Sequence, residues 1–217
     1  MLQETHSTEF EKQKWNEDWN SEMLFNHGTS NSKGTLIAFS KNLDYKIIKY
    51  DDDKDGRIQI CSILIDGKKK LIVNIYNENI ESKQIILLKK LNCLLENFNS
   101  LLDHEIILGG DWNFIFDKHL DASGGNPQLK LSSIAEITKL IEKYDLCDIF
   151  RIRNPDTLRY SFRQSTPKKL RRLDFFLTSN SLQDRIESCN ILTSIASDHS
   201  PVCLHFGSEN SLPCKNN

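Results

Sequence analysis

The sequence predicts an α/β sandwich of two β-sheets with helices packed against them. Three observations carry this. Strand-length apolar runs recur along the chain, two longer segments repeat apolar residues at helical spacing, and hairpin-type turns join several strands without the regular crossovers of a Rossmann winding. With 217 residues the chain fits one domain with a substantial core, and its 38% apolar content is lean but globular.

The elements follow in order. Residues 3–22 are a polar opening rich in Glu, Lys, Asn and Trp. Strand-like runs at Thr35–Phe39, Lys46–Tyr50, Arg57–Ile65 and Leu71–Tyr76 are expected to form one antiparallel meander. In the third run Ile58, Ile60, Ser62 and Leu64 alternate with Gln59, Cys61, Ile63 and Ile65, which suits a strand covered on both faces. Asp66-Gly67 marks a hairpin turn into Lys68-Lys69-Lys70, read as a solvated turn. Leu87, Leu88, Leu91, Leu94, Leu95, Phe98, Leu101 and Leu102 predict a long helix on a sheet; the seam is too short for a coiled coil. Glu105–Leu108 is a short buried strand, after which Gly109-Gly110 would let the backbone turn sharply. Ser123–Pro127 reads as a loop, and Ile134, Ile137, Leu140, Ile141 and Tyr144 as a second amphipathic helix. Arg159–Arg163, Leu170–Thr178, Ile191–Ile195 and Val202–Phe206 complete the strands. One domain is expected over 1–206, with 207–217 a loose polar tail.

Composition narrows the function classes. The net charge of -2 is not the whole-chain signature of a nucleic-acid binder, although local basic patches suffice for enzymes that grip nucleic acid briefly. Six cysteines occur without C-x-x-C or C-x-x-H pairing, which argues against a zinc site or disulfide scaffold and for buried free thiols. The start turns polar at once, and no apolar stretch approaches the roughly 20 residues a membrane span needs. An intracellular protein is expected, with no membrane partner.

The carboxylates carry the chemistry. Asp111 and Asn113 are an i, i+2 pair just past a buried strand and can aim at one point. Asp174 interrupts the apolar run Leu173–Leu177, where a charge is costly unless paired or metal-bound. Arg172, on the same face by period 2, is one candidate partner; an imidazole brought close by the fold is another. Ser197-Asp198-His199-Ser200-Pro201 occupies a turn that projects an Asp and a His together. Carboxylates, an amide and one His are what a hard Mg²⁺ ion and a phosphoryl oxygen require.

Taken in order, Leu2-Gln3-Glu4-Thr5-His6, Asn74-Ile75-Tyr76, Gly109-Gly110-Asp111-Trp112-Asn113, Arg171-Arg172-Leu173-Asp174-Phe175 and Ser197-Asp198-His199-Ser200-Pro201-Val202 resemble the successive motifs of the endonuclease/exonuclease/phosphatase superfamily. The nearest likeness is to the endonuclease domain of LINE-type (non-LTR) retrotransposons, related to apurinic/apyrimidinic endonucleases. The resemblance implies a four-layer sandwich of two mainly antiparallel sheets flanked by helices. It also implies Mg²⁺ (or Mn²⁺) as cofactor and DNA as substrate. A reverse transcriptase domain would be the partner within a full-length polyprotein, and the enzyme would be a monomer acting in the nucleus.

By the same resemblance Glu4 is a metal ligand, with Asp198 on the metal side. Tyr76 contacts the scissile phosphate region, and Asp111 serves the attacking water or leaving group. Asn113 orients phosphate or metal, Asp174 orients the catalytic His199, and Ser161 makes a supporting substrate contact. Lys168, Lys169 and Arg171, at the hairpin before Asp174, are expected to meet DNA phosphates. Two departures stand out. Glu78 occupies a position where the family writes proline. The family's first strand, with its Asn, and the following helix are not found before Leu2, so the chain is expected to be a truncated reading frame, poorly stable and weakly active or inactive. Metal-dependent nicking equal to that of a version restored upstream would contradict that expectation. The alternatives are a non-catalytic remnant, an abasic-site repair enzyme, or an inositol-phosphate or sphingomyelin phosphodiesterase. Asp51-Asp52-Asp53 with Asp55 lacks the ordered ligands of an EF-hand and reads as a surface turn.

Overall fold

The computed structural model describes residues 1–98, 104–194 and 196–207. The elements are β1 (Leu2–Gln3), α1 (Lys12–Trp19), β2 (Met23–Asn26), β3 (Thr35–Ala38), β4 (Lys46–Asp52), β5 (Ile58–Ile65), β6 (Lys68–Tyr76), α2 (Glu81–Glu96), β7 (His104–Asp111), β8 (Ala122–Ser123), α3 (Leu131–Lys143), β9 (Leu146–Asp148), α4 (Ile149–Arg153), β10 (Phe162–Gln164), β11 (Lys169–Arg171), β12 (Asp174–Ser179), β13 (Ile186–Ile191) and β14 (Val202–Phe206).

A six-stranded sheet of order β4-β5-β6-β7-β12-β9 forms the centre. Asp66 and Gly67 both take positive φ (50° and 70°), the handedness a two-residue hairpin needs, and pin Ile65 opposite Lys68. The pair β6–β7 is parallel, with α2 as its crossover, and β12 returns antiparallel beside β7. One face of this sheet (Ile60, Val73, Leu108, Phe175, Leu177) packs on Leu88, Leu91 and Leu95 of α2 and on Ile137 and Leu140 of α3. The other face carries Cys61 and Ile63 against Ile37 and Phe39, and Ile107 and Phe176 against Ile149, Ile186 and Ile191. Outermost, α1 leans on the smaller sheet through Trp19, whose Nε1 donates to the Phe39 carbonyl at 2.8 Å. The expected layers of two sheets flanked by helices are therefore present. The second layer is divided, however, into a three-stranded sheet β1-β3-β2 and the pair β13-β14.

Several expectations need correction. Thr35–Ala38 does not join the meander. It pairs with Leu2–Gln3 and with Met23–Asn26, an unmarked strand that follows the polar opening, because its buried side chains face the far side of the central sheet. The run Leu170–Thr178 is two strands, not one. The guanidinium of Arg172 turns inward to Asp121 (2.7 Å) and Asp148 (2.6 Å), and the chain breaks there: β11 joins β10 and β8, β12 joins the central sheet. Arg172 is thus not the partner of Asp174. Lys70 is buried on Glu105 (2.5 Å) rather than solvated. Asp52 and Asp53 are also buried, their carboxylates capping backbone N–H groups of Lys54, Asp55 and Arg57. Of the cysteines, Cys61 and Cys189 are buried thiols, but Cys93 is exposed. Leu101, Leu102, Ile195, Cys214 and the tail from residue 208 lie outside the described residues. Among the described residues no helix is long and apolar enough to cross a membrane.

Candidate active site

Three adjacent strands bring the first carboxylates together. Tyr76 at the end of β6 pairs with Asp111 at the end of β7, which pairs with Asp174 at the start of β12. The two glycines before Asp111 lie within β7 rather than in a turn. A Cβ on Gly110 (φ +145°) would sit 1.9 Å from the Ile75 carbonyl oxygen, and one on Gly109 would meet the Phe176 ring at 2.4 Å. They permit the close approach of strands that carry the site. The chain turns only at Asn113, with φ 53°. Between them Trp112 is fully buried, stacked on Phe175 at 5.0 Å.

Asn113 serves its neighbour. Its backbone N–H donates to Asp111 Oδ1 (2.9 Å), and its amide donates to Asp111 Oδ2 (3.1 Å) and the Asn77 carbonyl (2.9 Å). His199 Nδ1 lies 2.8 Å from Asp174 Oδ2, which leaves Nε2 for a substrate. Ser161 has no exposed surface, so it is not open to substrate. Its Oγ accepts from the backbone N–H of Leu173 (3.0 Å) and Asp174 (2.9 Å), and its carbonyl accepts from Ser200 N. One residue thereby ties the start of β12 to the His199 turn. Arg163 adds a second tie, donating from its backbone to the Asp198 carbonyl and from Nη2 to Ser200 Oγ (2.7 Å).

Glu4 arrives from the small sheet. Gln3 Nε2 donates to Asn74 Oδ1 at 2.6 Å, and Asn74 Nδ2 donates to the Leu2 and Leu36 carbonyls and to Gln59 Oε1. These amides dock β1 beside β6, and the Tyr76 hydroxyl then donates to the Glu4 carboxylate. Gln3 and Asn74 are residues whose part sequence reasoning missed; both stand within the motifs quoted above, next to or two before the acting residue. Glu4 holds φ at 51°, an uncommon value for a non-glycine residue.

The result is a cavity of about 230 Å³ lined by Gln3, Glu4, Tyr76, Asp111, Asp174, Ser197, Asp198 and His199. Four carboxyl groups face a single imidazole. Burial, then the charge of Asp174, pushes the Asp111 carboxyl up to about 7, against the pull of His199. Burial works to lower His199, but its hydrogen bond to Asp174 and the nearby charges of Asp111 and Asp198 prevail and lift it to about 9. Tyr76 is raised by burial and by its bond to Glu4. Ligand atoms of Asp111, Asp174 and His199 lie within 4.8 Å of one another. An oxygen-rich site so short of positive charge fits a hard divalent cation, with the carboxylates of Glu4 and Asp198, engaged neither by the imidazole nor by Asn113, as its donors.

A family model described as the endonuclease/exonuclease/phosphatase family matches residues 1–199. The chain belongs to this family. Members of it are hydrolases, nucleases and phosphatases among them, and the fold agrees. The 3′-5′ exonuclease NExo of Neisseria meningitidis superposes with TM-score 0.74 at 16% identity, covering 94% of this chain and 87% of that one. An AP endonuclease of Archaeoglobus fulgidus gives 0.73 at 17%, covering 95% and 87%. A further NExo structure, described as a 3′ phosphatase bound to product DNA hairpin, gives 0.70 at 16%, covering 95% and 88%. In sequence, the chain is 28% identical over 216 residues to the uncharacterized 149 kDa protein of transposon TX1 of Xenopus laevis, covering 98% of this chain but 16% of that protein. The expected kinship with transposon proteins and AP endonucleases is thus found.

The basic residues stand beside the cavity, not in it. The hairpin β10–β11 carries Lys168 and Lys169, and the backbone pairing of Phe162 with His199 sets it next to the site. Arg171 is partly committed elsewhere, its Nη1 donating to the Ser123, Gly124 and Leu170 carbonyls.

Proposed function

We propose that this family member is a Mg²⁺-dependent phosphodiesterase that nicks DNA, of retrotransposon origin, with Mn²⁺ able to substitute. The observation that carries the reading is the cavity in which Glu4, Tyr76, Asp111, Asp174, Asp198 and His199 converge. Glu4 and Asp198 would hold the ion, which supplies Lewis acidity toward a phosphoryl oxygen when bound. Asp174 takes the Nδ1–H of His199 and favours the charged imidazolium, so that its Nε2–H donates to the phosphate. Asp111, buried and weakly acidic, accepts a proton from the attacking water. Asn113 keeps that carboxylate aimed, and the Tyr76 phenol stands at the scissile phosphate. Lys168 and Lys169 reach flanking phosphates, while Arg171 shapes the hairpin that carries them.

The DNA reading is supported by the DNA-bound NExo neighbour, and the transposon reading by the TX1 relative. As this chain spans 16% of that relative, a reverse transcriptase domain in a longer polyprotein belongs to the same proposal, as do a nuclear site of action and a monomeric state. The test uses three labelled duplexes, one plain, one with an abasic site and one ending in a 3′-phosphate, each incubated with Mg²⁺ or EDTA. Mg²⁺-dependent internal cleavage of the plain duplex, leaving a 3′-hydroxyl, is expected. Cleavage confined to the abasic duplex would replace the reading with a repair function, and release of phosphate alone would replace it with a phosphatase.

A further inference from the structure

Arg57 surrounds Tyr76 from three sides. Its carbonyl accepts the Tyr76 N–H at 2.8 Å, its Nη1 donates to the Tyr76 and Asn77 carbonyls (3.1 and 3.3 Å), and its guanidinium lies 4.9 Å from the centre of the Tyr76 ring. Arg57 is itself held. Glu78 faces its Nε at 3.0 Å as an ion pair, with side chains 10% and 22% exposed, and Asp53 Oδ1 accepts its backbone N–H at 3.1 Å. Asp53 is anchored in turn by Asn26 Nδ2 at 2.7 Å. Two features without a role in the sequence reading, the acidic run and the departure at Glu78, thus meet on one arginine. A buried guanidinium is costly unless it is compensated; here Nη1 donates to the backbone on which Tyr76 sits, while Nε makes no hydrogen bond and has the Glu78 carboxylate as its ion-pair partner.

We propose that Arg57, locked by Glu78 and Asp53, is a positioning residue that fixes Tyr76 and, through the Tyr76 hydroxyl, the Glu4 carboxylate at the cavity. The proposal rests on the phosphodiesterase reading for its catalytic consequence, while its structural half is measurable without activity. The experiment is a double-mutant cycle of Arg57→Met and Tyr76→Phe, followed by single-turnover nicking in Mg²⁺ and by thermal melting. Arg57→Met is expected to slow nicking on the order of tenfold in the native background and by less than about twofold when Tyr76→Phe is already present. Its effect on Tm is expected to be equal in both. Equal fold losses of rate in the two backgrounds would overturn the proposal, since a merely structural arginine acts regardless of the phenol. Glu78→Gln, at a half-buried position, repeats the cycle should Arg57→Met fold poorly. If the unmodified chain shows no metal-dependent nicking, the functional reading fails, and the NMR signal of the Tyr76 ring, assigned by its loss in Tyr76→Phe, decides the inference. A signal displaced by both Arg57→Met and Glu78→Gln supports it; an unmoved signal overturns it.

Discussion

Asp111 and His199 both hold protons more tightly in the folded chain than in the unfolded one, for opposite reasons. Burial and a neighbouring carboxylate make the charged form of Asp111 costly, whereas Asp174 makes the charged form of His199 favourable. Both shifts are upward, so each contributes stability that is complete below its unfolded value and is lost as pH rises through its folded one. For Asp111 the window runs from 3.8 to about 7, and for His199 from 6.5 to about 9. Asp111→Asn should therefore raise Tm relative to the native chain above neutral pH and lose that advantage toward pH 4, in melts recorded without metal. An NMR titration should place the His199 imidazole near 9, and Asp174→Asn should bring it down; an unmoved value would contradict the pairing. At this scale the sequence was informative where physics forces a residue to stand out. A charge in the apolar run of β12 calls for a partner, and His199 is that partner. Ser161 could not be read the same way, because a buried serine bonding two backbone N–H groups has the same letter as one facing substrate.

Strand pairing, more than any single side chain, assembles the cavity. Register alone sets Tyr76, Asp111 and Asp174 side by side, and Gly110 is what lets β6 and β7 close up. Gly110→Ala combines a backbone clash with a φ that alanine avoids, so a loss of roughly 3 kcal/mol or more is expected in denaturant unfolding. A near-native stability would show that the strands can separate at little cost. The hairpin at Asp66-Gly67 and both amphipathic helices were legible, since period and turn chemistry are local signals. The membership of β3 was not. An apolar run reports that it is buried but not in which sheet, and the polar residues before it hid the partner strand Met23–Asn26. The break at Arg172 was equally hidden, for a guanidinium that turns inward to Asp121 and Asp148 is a tertiary event.

On the scale of the whole molecule, a net charge of -2 conceals an uneven surface. Carboxylates gather in the cavity, and Arg163, Lys168 and Lys169 stand on the hairpin beside it. If that hairpin meets the phosphate backbone, neutralising Lys168 and Lys169 should weaken binding to all DNA sequences alike, and each should reduce the salt dependence of log K by about 1. An unchanged salt slope would move the DNA path elsewhere. The ordered motifs made the family readable, because five short signatures in sequence order constrain the fold far more than each does alone; the amide cluster of Gln3, Asn74 and Gln59, which brings the first of them to the others, emerges only in three dimensions. The central claim is that these converging residues hydrolyse DNA with a divalent ion. Nicking of supercoiled plasmid tests it most directly, comparing the native chain with His199→Ala in Mg²⁺ and in EDTA. Open circles from the native chain in Mg²⁺, with a loss of two orders of magnitude or more on His199→Ala and none in EDTA, are the predicted result. Nicking that survives both the substitution and the chelator, or no nicking by the native chain in Mg²⁺, would contradict it.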